Sequence, residues 1–232
     1  MNGVVFLFPG QGSQEVGMGF DVYNSLPWAK EYFIAAQNLL GNSWLDILFK
    51  GNIEDLSKTE NTQPAMLLVS TVLSEALKKK GIFPQAVAGH SVGEYAAYVA
   101  SGILDFPCAL KIIRKRAEFM ASAVPEGYGN MAAILGLEDK LVESACERAS
   151  KLGIVQPANY NCPGQVVISG QRSAVIQAGL YAQEYGAKKI IELKVSGPFH
   201  CSLMRDASDK LHKEIKNFTF KAPSCKYISN VT

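Results

Sequence analysis

The stretch AVAGHSVGEYAAYVASG, residues 86–102, decides the fold that we predict for this chain. It begins with three apolar residues, enough for a short buried strand, and continues after residue 92 as an apolar, alanine-rich run that favours a helix. Between them stands Gly89-His90-Ser91-Val92-Gly93, an instance of Gly-x-Ser-x-Gly. On a sharp turn from strand to helix this pattern exposes a serine nucleophile. The alternative is a turn with an incidental serine, which the strand before it and the helix after it disfavour.

The composition is that of an ordinary globular protein and excludes several functional classes. Of the 232 residues, 48% are hydrophobic and 19% are charged, and the net charge is only +2. This balance argues against nucleic acid or a membrane surface as a partner, and no apolar run approaches the ~20 residues that span a bilayer. The five cysteines form no Cys-x-x-Cys, so we expect reduced thiols in a cytoplasmic protein, no signal peptide and no metal site.

Strands alternate with helices along the first half of the chain. A continuous apolar run at residues 3–8 predicts a buried strand that ends in the loop Pro9-Gly10-Gln11-Gly12-Ser13-Gln14. Apolar spacing predicts helices over residues 28–40 and 64–80, the second with Pro64 in its first turn. This alternation is typical of an α/β fold with a largely parallel sheet.

A change of pattern near residue 130 predicts an inserted subdomain. Strands are expected at residues 131–137, 154–159, 165–169 and 189–195, and helices at 138–152 and 172–185. This βαββαβ order is that of a split, ferredoxin-like unit. We therefore predict a discontinuous core of residues 1–122 and 197–232, interrupted by a ferredoxin-like subdomain of residues 123–196.

The helix predicted for residues 105–122 carries one cation on its apolar side. At 100° steps most of its charged residues share one arc, whereas Arg116 falls between Ala109 and Ile112. A buried guanidinium is unfavourable unless an anion pairs with it. A structural ion pair, a side chain that extends to the surface, and a bound anion all remain open for this position.

A serine nucleophile needs a base, and the chain has three histidines. His90 adjoins Ser91, but neighbours on a turn usually point apart. His212 lies in a lysine-rich helix and is expected at the surface. His200 follows a strand and a Gly-Pro loop and precedes a helix, which is the better location for a catalytic side chain.

The acid of a hydrolase-type triad has no clear candidate. Asp105 and Asp139 are the residues to consider, yet neither follows a clear core strand, and Asp139 suits the first turn of a helix. A Ser-His dyad, with a backbone carbonyl that orients the imidazole, fits these residues better.

Five motifs, in one order and spread over the whole chain, resemble those of malonyl-CoA:acyl carrier protein transacylases. They are Phe8-Pro9-Gly10-Gln11-Gly12-Ser13-Gln14, Gly89-His90-Ser91-Val92-Gly93-Glu94-Tyr95, Arg116 within Lys-Arg-Ala-Glu-Phe-Met, Asn161-Cys162-Pro163-Gly164-Gln165-Val166-Val167, and Pro198-Phe199-His200. The resemblance implies an α/β-hydrolase-like parallel-sheet core with a ferredoxin-like insert, in agreement with the patterns above.

The resemblance also implies a role for each matched residue. Ser91 would be the nucleophile that becomes malonylated and His200 the general base, while the backbone N–H groups of Gln11 and Val92 would form the oxyanion hole. Arg116 would pair bidentately with the malonyl carboxylate, which suits a guanidinium better than an ammonium.

Two further residues take lesser roles by the same resemblance. Phe199 matches the bulky residue that accompanies a preference for malonyl over methylmalonyl groups, and His90 would support the turn.

The implied partners are a coenzyme A thioester and acyl carrier protein, with no cofactor. Carrier proteins are typically acidic, and Lys188, Lys189 and Lys194 are candidates for a basic patch, although a solvated face explains them equally well. Nothing in the sequence requires more than a monomer. Relatives continue past the strand expected at residues 227–229 with a segment whose glutamine carbonyl orients the histidine, so no such group for His200 is identified among the 232 residues.

Two other functions remain open on the sequence alone. One is a thioesterase-type serine hydrolase, although a hydrolase for neutral acyl chains has no need of a buried cation at Arg116. The other is a catalytically silent, acyltransferase-like module that docks carrier protein.

Overall fold

The computed structural model describes residues 3–231, so the outer ends of the predicted core, residues 1, 2 and 232, lie outside it. The chain divides into two compact units. The first unit comprises Met1–Glu118 and Leu211–Thr232, and the second comprises Phe119–Lys210. The domain borders expected at 122/123 and 196/197 stay predictions.

The described residues form seven strands and ten α-helices. In chain order these are β1 (Val5–Phe8), α1 (Phe20–Ser25), α2 (Lys30–Leu40), α3 (Trp44–Lys50), α4 (Ile53–Ser57), α5 (Thr59–Lys79), β2 (Ala86–Gly89), α6 (Gly93–Ala100), α7 (Phe106–Ala121), β3 (Gly129–Leu135), α8 (Asp139–Ala149), β4 (Val155–Cys162), β5 (Gln165–Gln171), α9 (Arg172–Glu184), β6 (Lys189–Glu192), α10 (Arg205–Ile215) and β7 (Lys226–Ile228). Short 3₁₀ turns lie at Pro27–Ala29, Ser150–Leu152 and Ser202–Met204.

The first unit is built on a three-stranded parallel sheet in the order β1-β2-β7, which confirms the predicted parallel core. Phe8 of β1 pairs with Gly89 of β2, and Ile228 of β7 pairs with Ala88. All three strands therefore end at one edge of the sheet. In parallel α/β sheets this carboxyl edge is where ligands bind.

Helix α5 begins earlier than the sequence indicates. The helix predicted from Pro64 starts at Thr59 instead, which places the proline inside it. The backbone N–H of Thr62 donates to the Lys58 carbonyl, and the Thr62 hydroxyl donates to the Leu56 carbonyl at the end of α4. The extra turn is thus stabilised by the preceding helix. Sequence reasoning placed the proline in the first turn because a proline there loses no hydrogen bond.

The second unit contains the predicted ferredoxin-like arrangement. Its four strands form an antiparallel sheet in the order β4-β5-β3-β6, joined by α8 and α9 in the βαββαβ sequence. The side chains of α8 and α9 and one face of the sheet form a buried cluster around Ile134 and Ile168. A second cluster holds Met131, Val167 and Phe199. Residues of β3 and β5 thus contribute to both clusters, because successive side chains of a strand point to opposite faces.

Three other expectations can be compared with this fold. All five cysteines are free thiols, as predicted. No helix within residues 3–231 has both the length and the apolar composition needed to cross a bilayer. His212 is exposed on α10, as expected for a surface residue.

We expect an added methyl group to change the stability in opposite directions at two glycines of the second unit, Gly179 and Gly186. Gly179 lies inside α9, and a Cβ there would meet Ile190 at 3.4 Å, an ordinary contact. Gly179→Ala should raise the free energy of unfolding by about 0.5–1 kcal/mol, because alanine is the better helix former. Gly186 has a φ of 101° and open space around it. Gly186→Ala should lower the free energy of unfolding, because an alanine is strained in this backbone conformation although its methyl group meets no neighbour. Urea unfolding of the two variants tests this pair; a loss of stability in Gly179→Ala would contradict the packing described.

Candidate active site

The nucleophile turn connects β2 to α6 and holds Ser91 in an uncommon backbone conformation. The φ angle of Ser91 is 50°, in the left-handed region. Among residues 3–231, Ser91 and His200, at φ 60°, are the only residues other than glycine with a positive φ. Such conformations cost on the order of 1–3 kcal/mol and cluster at functional sites. The two predicted catalytic residues are therefore the two strained ones.

Glycines allow three backbone segments to approach one another at this turn. A Cβ on Gly89 would lie 2.1 Å from the Gly93 carbonyl carbon, and a Cβ on Gly93 would lie 2.3 Å from the Phe8 carbonyl oxygen. A Cβ on Gly10 would lie 2.4 Å from Nδ1 of His90. Any side chain would separate these segments. The Gly-x-Ser-x-Gly pattern thus reflects close packing of the turn against β1 and the loop that follows it.

Two backbone N–H groups beside the turn suit an oxyanion. The N–H groups of Val92 and Gln11 take part in none of the hydrogen bonds formed among residues 3–231. Val92 immediately precedes α6, where the helix dipole favours negative charge. The Gln11 side chain donates to the Thr59 hydroxyl at 3.2 Å, which fixes its loop against the start of α5. Free N–H groups on fixed backbone are what an oxyanion hole requires.

Arg116 is buried against the nucleophile. Its side chain is 8% exposed, and Nη2 donates to Ser91 Oγ at 3.0 Å. Nη1 donates to Gln63 Oε1 at 2.6 Å, and Cζ lies 5.7 Å from the centre of the Tyr95 ring. The helical-phase prediction of a buried guanidinium is confirmed, and the alternative of a side chain that extends to the surface is wrong.

In the described part of the chain, the charge of Arg116 has no carboxylate as an ion-pair partner. None of the ion pairs formed by residues 3–231 includes it, so the alternative of a structural ion pair is also wrong. Burial lowers the pKa of the guanidinium, and the opposing influence of Tyr95 and Glu94 is smaller. Because the charged guanidinium is destabilised by burial, a bound anion that pairs with it would stabilise the site.

His200 and Phe199 belong to the second unit and lie in a segment that is held at several points. The ring of Pro198 packs on Gly129, where a Cβ would lie 2.3 Å from the ring. The Ser202 N–H donates to Gln156 Oε1 at 2.8 Å. Phe199 is 5% exposed and packs in the cluster with Met131, whereas His200 is exposed. The segment therefore presents His200 on a rigid support.

Sequence reasoning missed two polar residues of the first unit. Gln63 is a fully buried amide on α5, and a polar residue on the buried face of an apolar helix is the signal that could have found it. Asn230 follows β7 and accepts a hydrogen bond from the Ser91 N–H at 2.7 Å. Its position just beyond the carboxyl end of a parallel strand was the available signal.

Two other expectations concern metal ligands and surface lysines. Within residues 3–231 no group of three or more His, Cys, Asp or Glu side chains could hold a metal ion. Lys188, Lys189 and Lys194 are exposed, which is compatible both with a basic patch and with a solvated face.

The chain is similar to known acyltransferases over its whole length. The family model described as acyl transferase domain matches residues 5–232. The malonyl CoA-acyl carrier protein transacylase of Bacillus subtilis is 46% identical over all of this chain, which covers 74% of that protein. The chain belongs to the malonyl-CoA:acyl carrier protein transacylase family. Family membership makes it an acyltransferase.

Solved structures of this transacylase family have the same fold. The malonyl CoA-acyl carrier protein transacylase of Coxiella burnetii superposes with a TM-score of 0.95 at 40% identity, over 99% of this chain and 73% of that one. A malonyl-transacylase in complex with its type II PKS acyl-carrier protein also has a TM-score of 0.95, at 39% identity, over 99% of this chain and 75% of that one. The transacylase fold predicted from the motifs is therefore confirmed.

We expect Gly93→Ala to disrupt the nucleophile turn, because the new Cβ would meet the Phe8 carbonyl at 2.3 Å. Thermal unfolding should show a fall in Tm, and labelling of Ser91 by a fluorophosphonate should slow by about 100-fold or more. Gly102→Ala, beyond the other end of α6, is the control, because its surroundings are open and its φ of 78° adds backbone strain alone. Normal labelling of Gly93→Ala would contradict the close packing of the turn.

Proposed function

We propose that this chain transfers a malonyl group from malonyl-CoA to the phosphopantetheine thiol of acyl carrier protein through a malonyl ester on Ser91. The observation that carries the proposal is Arg116, a buried guanidinium that forms no ion pair within residues 3–231 and lies 3.0 Å from the serine oxygen. A nucleophile beside such a cation suits an acyl group that ends in a carboxylate.

In the first half of the cycle, Ser91 Oγ attacks the thioester carbonyl while His200 takes the hydroxyl proton. The N–H groups of Gln11 and Val92 stabilise the tetrahedral oxyanion. The C–S bond then breaks, and His200 returns the proton to the leaving thiolate of coenzyme A. The rigid segment around His200 and its left-handed backbone support its assignment as the base.

In the second half, the phosphopantetheine thiol takes the place of coenzyme A. His200 removes the thiol proton, the thiolate attacks the malonyl ester, and Ser91 leaves with the proton from His200. The same oxyanion hole serves both halves. Transfer has to be faster than attack by water, so the site should not hold a water in line with the ester.

Arg116 is within reach of the malonyl carboxylate. The carboxylate carbon lies only about 2.5 Å from the acyl carbon, two bonds away. Gln63 holds one side of the guanidinium and Tyr95 flanks its plane, which presents the remaining N–H groups as a fork. The carboxylate would replace the present contact with Ser91 Oγ and free the serine to attack. Phe199 would restrict the acyl pocket to unbranched malonyl, and His90 would support the turn.

The proposal extends to the partner, the location and the assembly of the enzyme. Acyl carrier protein as partner is supported by the matched complex of a malonyl-transacylase with its carrier protein. Lys188, Lys189 and Lys194 are candidates for contact with it. A cytoplasmic location, a monomeric state and the lack of a cofactor are further parts of the proposal.

Intact-protein mass spectrometry after mixing with malonyl-CoA tests the acyl-enzyme directly. We expect a malonyl adduct on the full chain that is absent from Ser91→Ala and is discharged by phosphopantetheinylated carrier protein. Steady release of free malonate without transfer would indicate a thioesterase instead. Absence of an adduct in a folded protein would favour a silent docking module.

Arg116→Ala should slow malonyl loading about 10- to 100-fold more than acetyl loading, because only malonyl supplies a charged partner for the guanidinium. Arg116→Lys should recover part of the loss, since the charge stays while the bidentate geometry goes. Arg114→Ala is the matched control, because Arg114 pairs with Glu118 on the partly exposed face of the same helix. Equal losses for both acyl groups would remove Arg116 as the carboxylate partner.

A further inference from the structure

We propose that Asn230 is a positioning residue that holds the nucleophile turn in its reactive shape. The inference rests on the proposed function only in taking Ser91 as the nucleophile. The side chain of Asn230 bridges two backbone groups of the turn. Its Oδ1 accepts from the Ser91 N–H at 2.7 Å, and its Nδ2 donates to the Gly89 carbonyl at 2.5 Å.

A carboxamide suits this bridge because the turn offers one donor and one acceptor. At the end of β2 the chain leaves the sheet, so Ser91, with its left-handed φ, lies beyond the residues that pair with β1 and β7. An amide satisfies both groups at once. A carboxylate would accept from Ser91 but would face the Gly89 carbonyl with a second oxygen. An apolar side chain of the same size would leave both groups to water.

The backbone of Asn230 is itself held against the start of α6. Its N–H donates to Glu94 Oε1 at 3.2 Å, and the Tyr227 hydroxyl donates to the same oxygen. Burial, together with the hydrogen bond to Glu94, raises the pKa of Tyr227, so the phenol keeps the proton that it donates. The end of β7 is thereby joined both to the nucleophile turn and to the helix that follows it.

This bridge links two effects at the serine. It compensates for part of the strain of the left-handed backbone, and it occupies the Ser91 N–H. The N–H groups of Val92 and Gln11 form no hydrogen bond among residues 3–231 and stay available to an oxyanion. The direction of Ser91 Oγ follows from the backbone of the turn. Loss of the bridge should therefore reduce the reactivity of the serine more than the affinity for substrate.

The test compares Asn230→Leu, Asn230→Asp and the control Asn217→Asp in the full chain. Asn217 is exposed, so its substitution makes the same chemical change away from the turn. Ser91 reactivity is measured by fluorophosphonate labelling, which needs no malonyl group, and by kcat and KM for malonyl-CoA. We expect Asn230→Leu to lower the labelling rate and kcat by about 10- to 100-fold, with KM changed by less than about three-fold.

The pH dependence of Ser91 labelling in Asn230→Asp distinguishes a positioning role from a merely structural one. Once protonated, an aspartic acid has one donor and one acceptor, as the amide does. The ratio of its labelling rate to that of the wild type should therefore rise as the pH falls from about 8 to about 5. Dividing by the wild type removes the titration of the base, and Asn217→Asp should give a flat ratio near one.

Two outcomes would overturn the proposal. The first is a normal labelling rate in folded Asn230→Leu with only a lower Tm, which would mean that Asn230 stabilises the sheet edge alone. The second, which decides the matter if Asn230→Leu does not fold, is a pH-independent ratio for Asn230→Asp. If the wild type does not accept a malonyl group, the proposed function is contradicted. The role of Asn230 is still tested in that case, because fluorophosphonate labelling of Ser91 does not depend on malonyl.

Discussion

The left-handed backbone at Ser91 is the constraint on which the first unit depends. A serine resists this conformation, so the surrounding contacts have to impose it. Glycines at 89 and 93 let the strand end, the turn and the start of α6 lie within van der Waals distance of β1. This packing places a half-buried serine hydroxyl directly before the Val92 N–H, which takes part in no hydrogen bond among residues 3–231. A looser turn would lose both features together.

The buried guanidinium of Arg116 forms no ion pair with a carboxylate among residues 3–231. Burying a guanidinium is unfavourable, and the contacts of Arg116 include the amide of Gln63, the hydroxyl of Ser91 and the ring of Tyr95. Neutral partners fix the plane of the guanidinium without cancelling its charge. An acyl group that brings its own anion would gain most from this cation, which is the physical basis for the proposed discrimination of malonyl from acetyl.

Of the two proposed catalytic residues, Ser91 belongs to the first compact unit and His200 to the second. Each unit holds its residue by a different device. Ser91 is held by close backbone packing, whereas His200 belongs to a segment fixed by Pro198 on Gly129 and by the Ser202 N–H on Gln156. Both residues carry a positive φ, so each unit stores strain at the point where the proposed chemistry takes place.

Sequence alone determined the α/β class, the βαββαβ order of the second unit, the nucleophile turn and the apolar position of Arg116, because these follow from local periodicity and from the special backbone needs of glycine. It did not predict the short helices α1, α3 and α4. The five ordered motifs added the family. Tertiary structure alone decided that Arg116 forms no ion pair among residues 3–231, that α5 begins at Thr59, and that Gln63 and Asn230 contact Arg116 and Ser91. The early start of α5 depends on its contact with the end of α4. Gln63 lies 53 positions from Arg116 and Asn230 lies 139 positions from Ser91, and a local pattern carries no information about such distant contacts.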